Sequence, residues 1–373
     1  MPTRLQAARE ARGWSQPQLI SRLTAKASVD GAHLPGVASL KSMVSRWENG
    51  KAQPDAMYAR LLREVYGLSD AELGLRISTG SALDVETAAN ELARHLSTSA
   101  GLSMETVKLL QEQTDRYRLL DRPLGAPRLL EQMRGHIAGL SEMLSYGVTG
   151  ACRRPVAAVL ADTAALAGWQ ALDVGAVAQA WDHFETAKAA AREAEDPALL
   201  AYATAEQAYV LLDLDRSRDA AELIAEARRE GRSRLPGLMT CWLTAAHGEA
   251  LAQLGEECPA LLAFDRAAAM TVDVSGDTPY LALGDAHLAR WRGNALARIG
   301  HTEALDCLNV ALREMDSSFR RATASLHCDL AIAHLRSGDR DAALHFASTA
   351  RSIAGEVGSV RQLRRVERLR IAA

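Results

Sequence analysis

The strongest regularity in the chain is a recurring trio of small and apolar positions. It appears as Ala180/Phe184/Ala187, Ala220/Ile224/Ala227, Ala260/Phe264/Ala267, Ala304/Leu308/Ala311 and Ala343/Ala347/Ala350, with the trios 40, 40, 44 and 39 residues apart. Eleven or twelve residues before each trio stands another small residue: Gly168, Ala208, Gly248, Gly293 and Ala331. The internal spacing is that of one helix face. Small residues let two antiparallel helices approach closely, and the apolar residue between them seals the pair. Gly175, Gly255, Gly300 and Gly338 fall where the paired helices must turn. A single pair cannot bury its own face, so five stacked pairs are expected over residues 151–373.

A different pattern occupies the first 76 residues. Leu5, Ala8, Trp14 and Leu19 begin a helical apolar series broken at Gly13. Ser15 with Gln18 three residues on reads as a capping box, and Pro17 fits the first turn. A helix is expected over Gln16–Lys26. After a Gly- and Pro-containing stretch, Ser39 is the expected cap of a helix over Leu40–Asn49. Leu40, Val44 and Trp47 recur there at i, i+4, i+7 and should face the core. Lys41, Ser42, Ser45 and Arg46 then fall on the other face, and Gly50 ends the helix. A fourth helix from Pro54 carries Tyr58, Leu61, Leu62 and Val65. Ser69 and Glu72 cap a short fifth one.

Between these regions, residues 77–150 read as a helical connector. Residues 76–81 are the candidate linker. Helices are expected over Asp84–Thr98, Ser103–Leu120 and Gly125–Tyr146. Asp115, Arg116 and Arg118 form a polar patch around Tyr117, most simply a solvated face.

Composition narrows the class. Hydrophobic residues make up 48% of 373 and charged ones 24%, with β-branched runs almost absent, so an all-α protein is expected. Residues 1–80 hold 11 Lys and Arg against 7 Asp and Glu, a net of +4; the remainder nets −7. A basic head on an acidic body suits a nucleic-acid module joined to a larger domain. The five cysteines, Cys152, Cys241, Cys258, Cys307 and Cys328, form no C-x-x-C pair. No disulfide framework or metal site is expected, and no cofactor. No signal segment or membrane span is expected, which places the protein in the cytoplasm. Phosphate-loop, zinc-protease and nucleophile-elbow motifs are missing from the sequence, and nothing argues for an enzyme.

The Ser15-Gln16-x-x-Leu19 and Val44-Ser45-x-Trp47-Glu48-x-Gly50 segments together resemble the Cro/repressor-type (XRE) helix-turn-helix family over about a fifth of the chain. The resemblance implies that the third helix enters the major groove of double-stranded DNA. Lys41, Ser42, Ser45 and Arg46 would be its base readers, Gln16 a phosphate anchor and Lys51 a second phosphate contact. The interval before the third helix is longer than in that family, and Ile20 replaces a small residue. The long insert followed by Ser39-Leu40-Lys41-x-Met43 resembles a subgroup from high-GC Gram-positive bacteria.

The repeat array is similar to the tetratricopeptide (TPR) family, most closely at Gly293-Asn294-Ala295 through Gly300-His301-Thr302-Glu303-Ala304. The period of 39 to 44 residues exceeds the family's roughly 34, and the proline that ends each family repeat is missing. In that family the first helix of each pair lines a concave trough. The resemblance implies that Trp169, Tyr209, Glu249, Asn294 and Ile332 point into it, as do Asp162, Tyr202, Trp242, His287 and Ser325. Arg290 and Arg298 add charge, and Asn294 could bond a peptide backbone in both directions. The last segment, Val360–Ile371, with Arg361, Arg364, Arg365 and Arg368, reads as a capping helix with a polar outer face.

The whole organisation resembles peptide-pheromone-responsive regulators of Gram-positive bacteria. That implies a homodimer on a palindromic operator, with a peptide or small-molecule effector in the trough. The expected domains are a DNA-binding head over 1–76, a connector over 77–150 and a TPR-like sensor over 151–373. The alternative function is a DNA-tethered scaffold whose solenoid holds a protein partner. A cavity with convergent polar groups favours an effector; a flat, open apolar groove favours a protein.

Overall fold

The computed structural model describes residues 3–29, 34–75, 102–146, 150–231, 234–270, 280, 281 and 283–369. The expected linker at 76–81 and the expected helix Asp84–Thr98 lie outside the described residues. All regular structure among the described residues is helical. The chain divides into two compact units, Met1–Leu92 and Ala93–Ala373.

The first unit holds α1 (Arg4–Ala11), α2 (Gln16–Val29), α3 (Val37–Glu48), α4 (Ala56–Tyr66) and α5 (Asp70–Leu73). Its core gathers Leu19, Leu23, Leu40, Val44, Leu61 and Leu62, with the Trp47 and Tyr58 rings 5.0 Å apart. The capping box of α2 is formed in both directions by Ser15 and Gln18, and that of α5 by Ser69 and Glu72. Three boundaries differ from the sequence reading. Helix α4 opens at Ala56 rather than at Pro54, because Asp55 is its N-cap and accepts from the Tyr58 N–H at 3.0 Å. Helix α2 runs three residues beyond Lys26, because Ala27 packs into the core a turn after Leu23. Helix α3 starts at Val37 rather than after Ser39: Gly36 is its N-cap, and the Ser39 N–H already bonds the Gly36 carbonyl at 3.0 Å.

The second unit begins with α6 (Met104–Leu124) and α7 (Leu130–Ser145). Ser103 caps α6 as expected, accepting from the Thr106 N–H, but the helix runs on through Pro123 to Leu124 instead of ending at Leu120. Gly125 does not open the next helix. It takes φ +76°, and a Cβ there would lie 2.1 Å from the Val357 carbonyl oxygen, so only glycine fits. A short 3-10 turn, Ala126–Arg128, precedes α7.

Five antiparallel pairs follow: α8 (Arg153–Asp173) with α9 (Val177–Ala194), α10 (Pro197–Asp213) with α11 (Ser217–Gly231), α12 (Gly237–Leu254) with α13 (Glu257–Ala268), α14 (Asp285–Ile299) with α15 (Ala304–Glu314), and α16 (Arg320–Arg336) with α17 (Arg340–Val357). The small residues lie where the pattern requires. A Cβ on Gly168, Gly248 or Gly293 would come within 2.9, 3.0 or 2.6 Å of Phe184, Phe264 or Leu308, the apolar member of the matching trio. Gly175, Gly255, Gly300 and Gly338 all take positive φ at the turns within pairs. The second pair lacks a glycine there; Asp215 takes the same left-handed conformation at φ +59°.

The final helix, α18 (Val360–Arg368), does not simply cover the last pair. It folds back to the first one: Ser359, at its N-cap, donates to the buried Asp173 carboxylate of α8. Helices from both ends of the unit are thus tied together. Gly150–Asp173 is long and apolar enough to cross a bilayer, but 83% of that window is buried, as befits a core helix.

Candidate functional site

Two surfaces carry chemistry, one in each unit. In the first, α3 divides by face as its pattern requires. Leu40, Val44 and Trp47 are buried, while Lys41, Ser42 and Arg46 are exposed. Ser45 is half-buried, and Asn49 donates its side-chain amide to the Ser45 carbonyl at 2.7 Å. Lys51 is exposed beyond the Gly50 turn, its N–H bonded to the Arg46 carbonyl at 2.9 Å. Lys41, Arg46 and Lys51 have no ion-pair partner among the described residues.

Gln16 stands differently from a free anchor. Its amide donates to the Glu48 carboxylate at 2.8 Å. Glu48 is only 2% exposed and also receives both arms of Arg9, at 2.6 and 3.0 Å. That bidentate bond holds the Arg9 guanidinium above its ordinary range, against the effect of its partial burial. Glu48 therefore ties α1, α2 and α3 together through their side chains and fixes the start of α2 relative to the last turn of α3. Its role was hidden in the sequence because its partners lie 32 and 39 residues away.

The second unit contains a partly open cavity of about 300 Å³. All nine candidate ligand residues line it: Trp169 from α8, Tyr202 and Tyr209 from α10, Trp242 and Glu249 from α12, and His287, Arg290, Asn294 and Arg298 from α14. The rings form a wall. Tyr202 lies 5.4 Å from Trp242 and 4.9 Å from Tyr280, and Trp242 lies 6.0 Å from Trp291, centre to centre. Trp169 meets Tyr209 edge-on at 5.5 Å. Ser325 also lines the cavity. Asp162 sits behind the wall instead, held by Gln111 and Arg118, and Ile332 packs into an apolar cluster with Leu308 and Phe346.

Asn294 is less available than its position suggests. It is buried, donates to Asp329 at 2.5 Å and accepts from Arg298 at 3.2 Å. Its amide braces the wall rather than offering both edges to a ligand.

Several lining groups come from helices that flank the repeats. Arg118, read as part of a solvated patch, reaches in from α6 to buried Asp162. Arg321 of α16 pairs with Asp121 of α6, which also accepts from Gln170 at 3.0 Å. From α18, Arg361 makes a bidentate bond to Asp213 at 2.7 and 2.8 Å and lies 5.2 Å from the Trp169 ring centre. Arg365 donates to Asp329 at 2.5 Å and to Ser325 at 2.8 Å. The outer face expected of this helix is thus partly an inner one.

Burial sets the charge states inside. It pushes the Glu206 carboxyl up to about 8, with Glu249 adding to the rise and Arg361 and the Tyr202 hydroxyl opposing it. It pushes Asp173 up to about 6 against the Ser359 hydrogen bond. His287 falls to about 4 through burial and the nearby Arg290 cation, so it is neutral at pH 7. Burial also lowers Arg290 and Arg298. The five cysteines are free, and no group of three or more His, Cys, Asp or Glu among the described residues could hold a metal.

No family model matches the chain, and no curated protein matches it.

Proposed function

We propose that the protein is a sequence-specific DNA-binding transcriptional regulator whose second unit senses a small effector. The observation that carries the first half is the division of α3: an apolar face locked in the core, and Lys41, Ser42 and Arg46 presented together on the other. This supports reading α2 and α3 as a helix-turn-helix with a lengthened connection, α3 being the helix that enters the major groove. Arg46 can fork onto a guanine, and Lys41 and Lys51 can reach a base edge or phosphate. Gln16, steered by Glu48, serves register more than affinity. Function as a homodimer on a palindromic operator in the nucleoid completes this reading.

The TPR-like repeats supply the sensor. A cavity lined by aromatic rings and convergent charges supports an effector over a protein partner, which would need an open groove. Helix α18 is the element through which an effector would act. Its contacts through Arg361 and Arg365 border the same space an effector would fill. An effector shifts the protein only by its differential affinity for the two arrangements.

The test is DNA binding by the full chain. Arg46→Ala should weaken specific binding by about 1–3 kcal/mol and relax preference at one base position. Unchanged affinity and preference would remove α3 from the DNA interface.

A further inference from the structure

The charged groups around the cavity are not evenly matched. Arg361 and Arg365 each hold a carboxylate, and so do Arg118 and Arg321. Arg290 and Arg298 do not. Among the described residues Arg290 bonds only the Ser325 hydroxyl, at 3.3 Å, and its buried Nε has no hydrogen-bond partner. Among the described residues Arg298 bonds only the side-chain carbonyl oxygen of Asn294. Glu249 and Asp329 are close enough for both guanidiniums to feel their charge, yet neither comes within salt-bridge distance. Both arginines line the same cavity from α14, and the Arg290 guanidinium lies 6.0 Å from the Trp291 ring centre. The Glu206 carboxyl of α10 and the His287 ring, three residues before Arg290 on α14, are uncharged at pH 7. Each keeps a buried atom without a partner, Oε2 and Nε2.

Two desolvated guanidiniums with no carboxylate in direct contact are costly to bury, and the more distant Glu249 and Asp329 charges offset only part of that cost. A bound anion offsets the rest through charge-assisted hydrogen bonds, and planar guanidinium groups suit carboxylate, sulfonate and phosphate alike. The aromatic wall of Tyr202, Trp242, Tyr280 and Trp291 then needs a flat apolar body.

We propose that the cavity takes an organic anion with a flat apolar body, its anionic group drawn to Arg290 and Arg298 and its rings laid against the aromatic wall. This rests on the reading that the cavity holds a small effector, and it names the chemical class of that effector. An effector of this class bridges α14 to α10 and α12.

A matched pair of fluorescent probes tests it on the full chain. 8-Anilinonaphthalene-1-sulfonate carries a sulfonate, and N-phenyl-1-naphthylamine has the same rings without it. The double variant Arg290→Gln/Arg298→Gln should weaken sulfonate binding about tenfold or more while leaving the neutral probe unchanged. The variant Arg290→Lys/Arg298→Lys, which keeps both charges, should recover most of the sulfonate affinity. A loss shared equally by both probes would mean that the arginines only hold the wall in place. Sulfonate binding that ignores the Gln variant, or neutral binding with no sulfonate binding, would overturn the anion assignment and leave an effector cavity standing. Failure of both probes to bind would remove the effector cavity itself. None of these results depends on the DNA-binding assignment, which operator binding tests separately.

Discussion

Gly293→Ala probes the rule that builds the repeat array. The added Cβ would lie 2.6 Å from Leu308 Cγ and Cδ2 and 3.2 Å from the Leu308 nitrogen. Leu308 is wholly buried between Ala304 and Ala311, so its side chain has no open space to swing into, and the close nitrogen means that α15 itself must move. Overpacking of this kind costs about 1–3 kcal/mol. Replacing a mid-helix glycine by alanine returns about 0.5–1 kcal/mol. The net expectation is a loss of roughly 0.5–2 kcal/mol, or about 2–4 °C per kcal/mol in the melting of a unit this size. Gly135 of α7 is the matched control: it is exposed, and a Cβ there meets nothing within 4 Å. Gly135→Ala should therefore raise the melting temperature. Thermal melting followed by circular dichroism compares the two. Equal stabilisation by both substitutions would refute the close-approach reading of Gly168, Gly248 and Gly293.

Two further outcomes follow from the cavity's electrostatics. The Glu206 carboxyl is raised in the folded protein from 4.5 to about 8, so its contribution to stability is complete below the lower value and is lost as pH rises through the upper one. Melting temperature should fall between about pH 4.5 and 8 and level off above, and Glu206→Gln, which keeps the neutral form, should flatten that fall; an unchanged slope would place the titration elsewhere. Asn294→Ala strips one donor from Asp329, which is 0% exposed. It should lower stability by about 1–3 kcal/mol in denaturant melts, with a matching loss of probe binding only where the wall loosens; wild-type stability would show the bond to be dispensable.

The trough was legible because it repeats. Trp169, Tyr209, Glu249 and Asn294 each follow the small residue of a first helix, and helices stacked in register present equivalent positions to one space. The closure of that space was not legible in the same way. Arg361 meets Asp213 across 148 residues and Arg321 meets Asp121 across 200, separations on which no local period reports. A partial signal existed. Asp173, Asp213, Gln253 and Arg298 each stand five residues after the small residue of their helix, so the register already placed charges on the inner surface. Arg361 and Arg365 of the last helix, which meet Asp213 of α10 and Asp329 of α16, were the complementary half. In the first unit the caps at Ser15 and Ser69 could be read locally, because both partners lie three residues apart. The start of α3 could not, since Ser39 was as good a cap by type as Gly36 and only the path of the chain decides between them.

The central claim is that α3 reads DNA. Selection of binding sequences from a random duplex library by the purified full chain tests it most directly, run in parallel with Arg46→Ala. The account predicts enrichment of a palindromic site with half-sites about one helical turn apart, and loss of one defined base preference in the variant. No enriched sequence, or the same enriched sequence with Arg46→Ala, would contradict it.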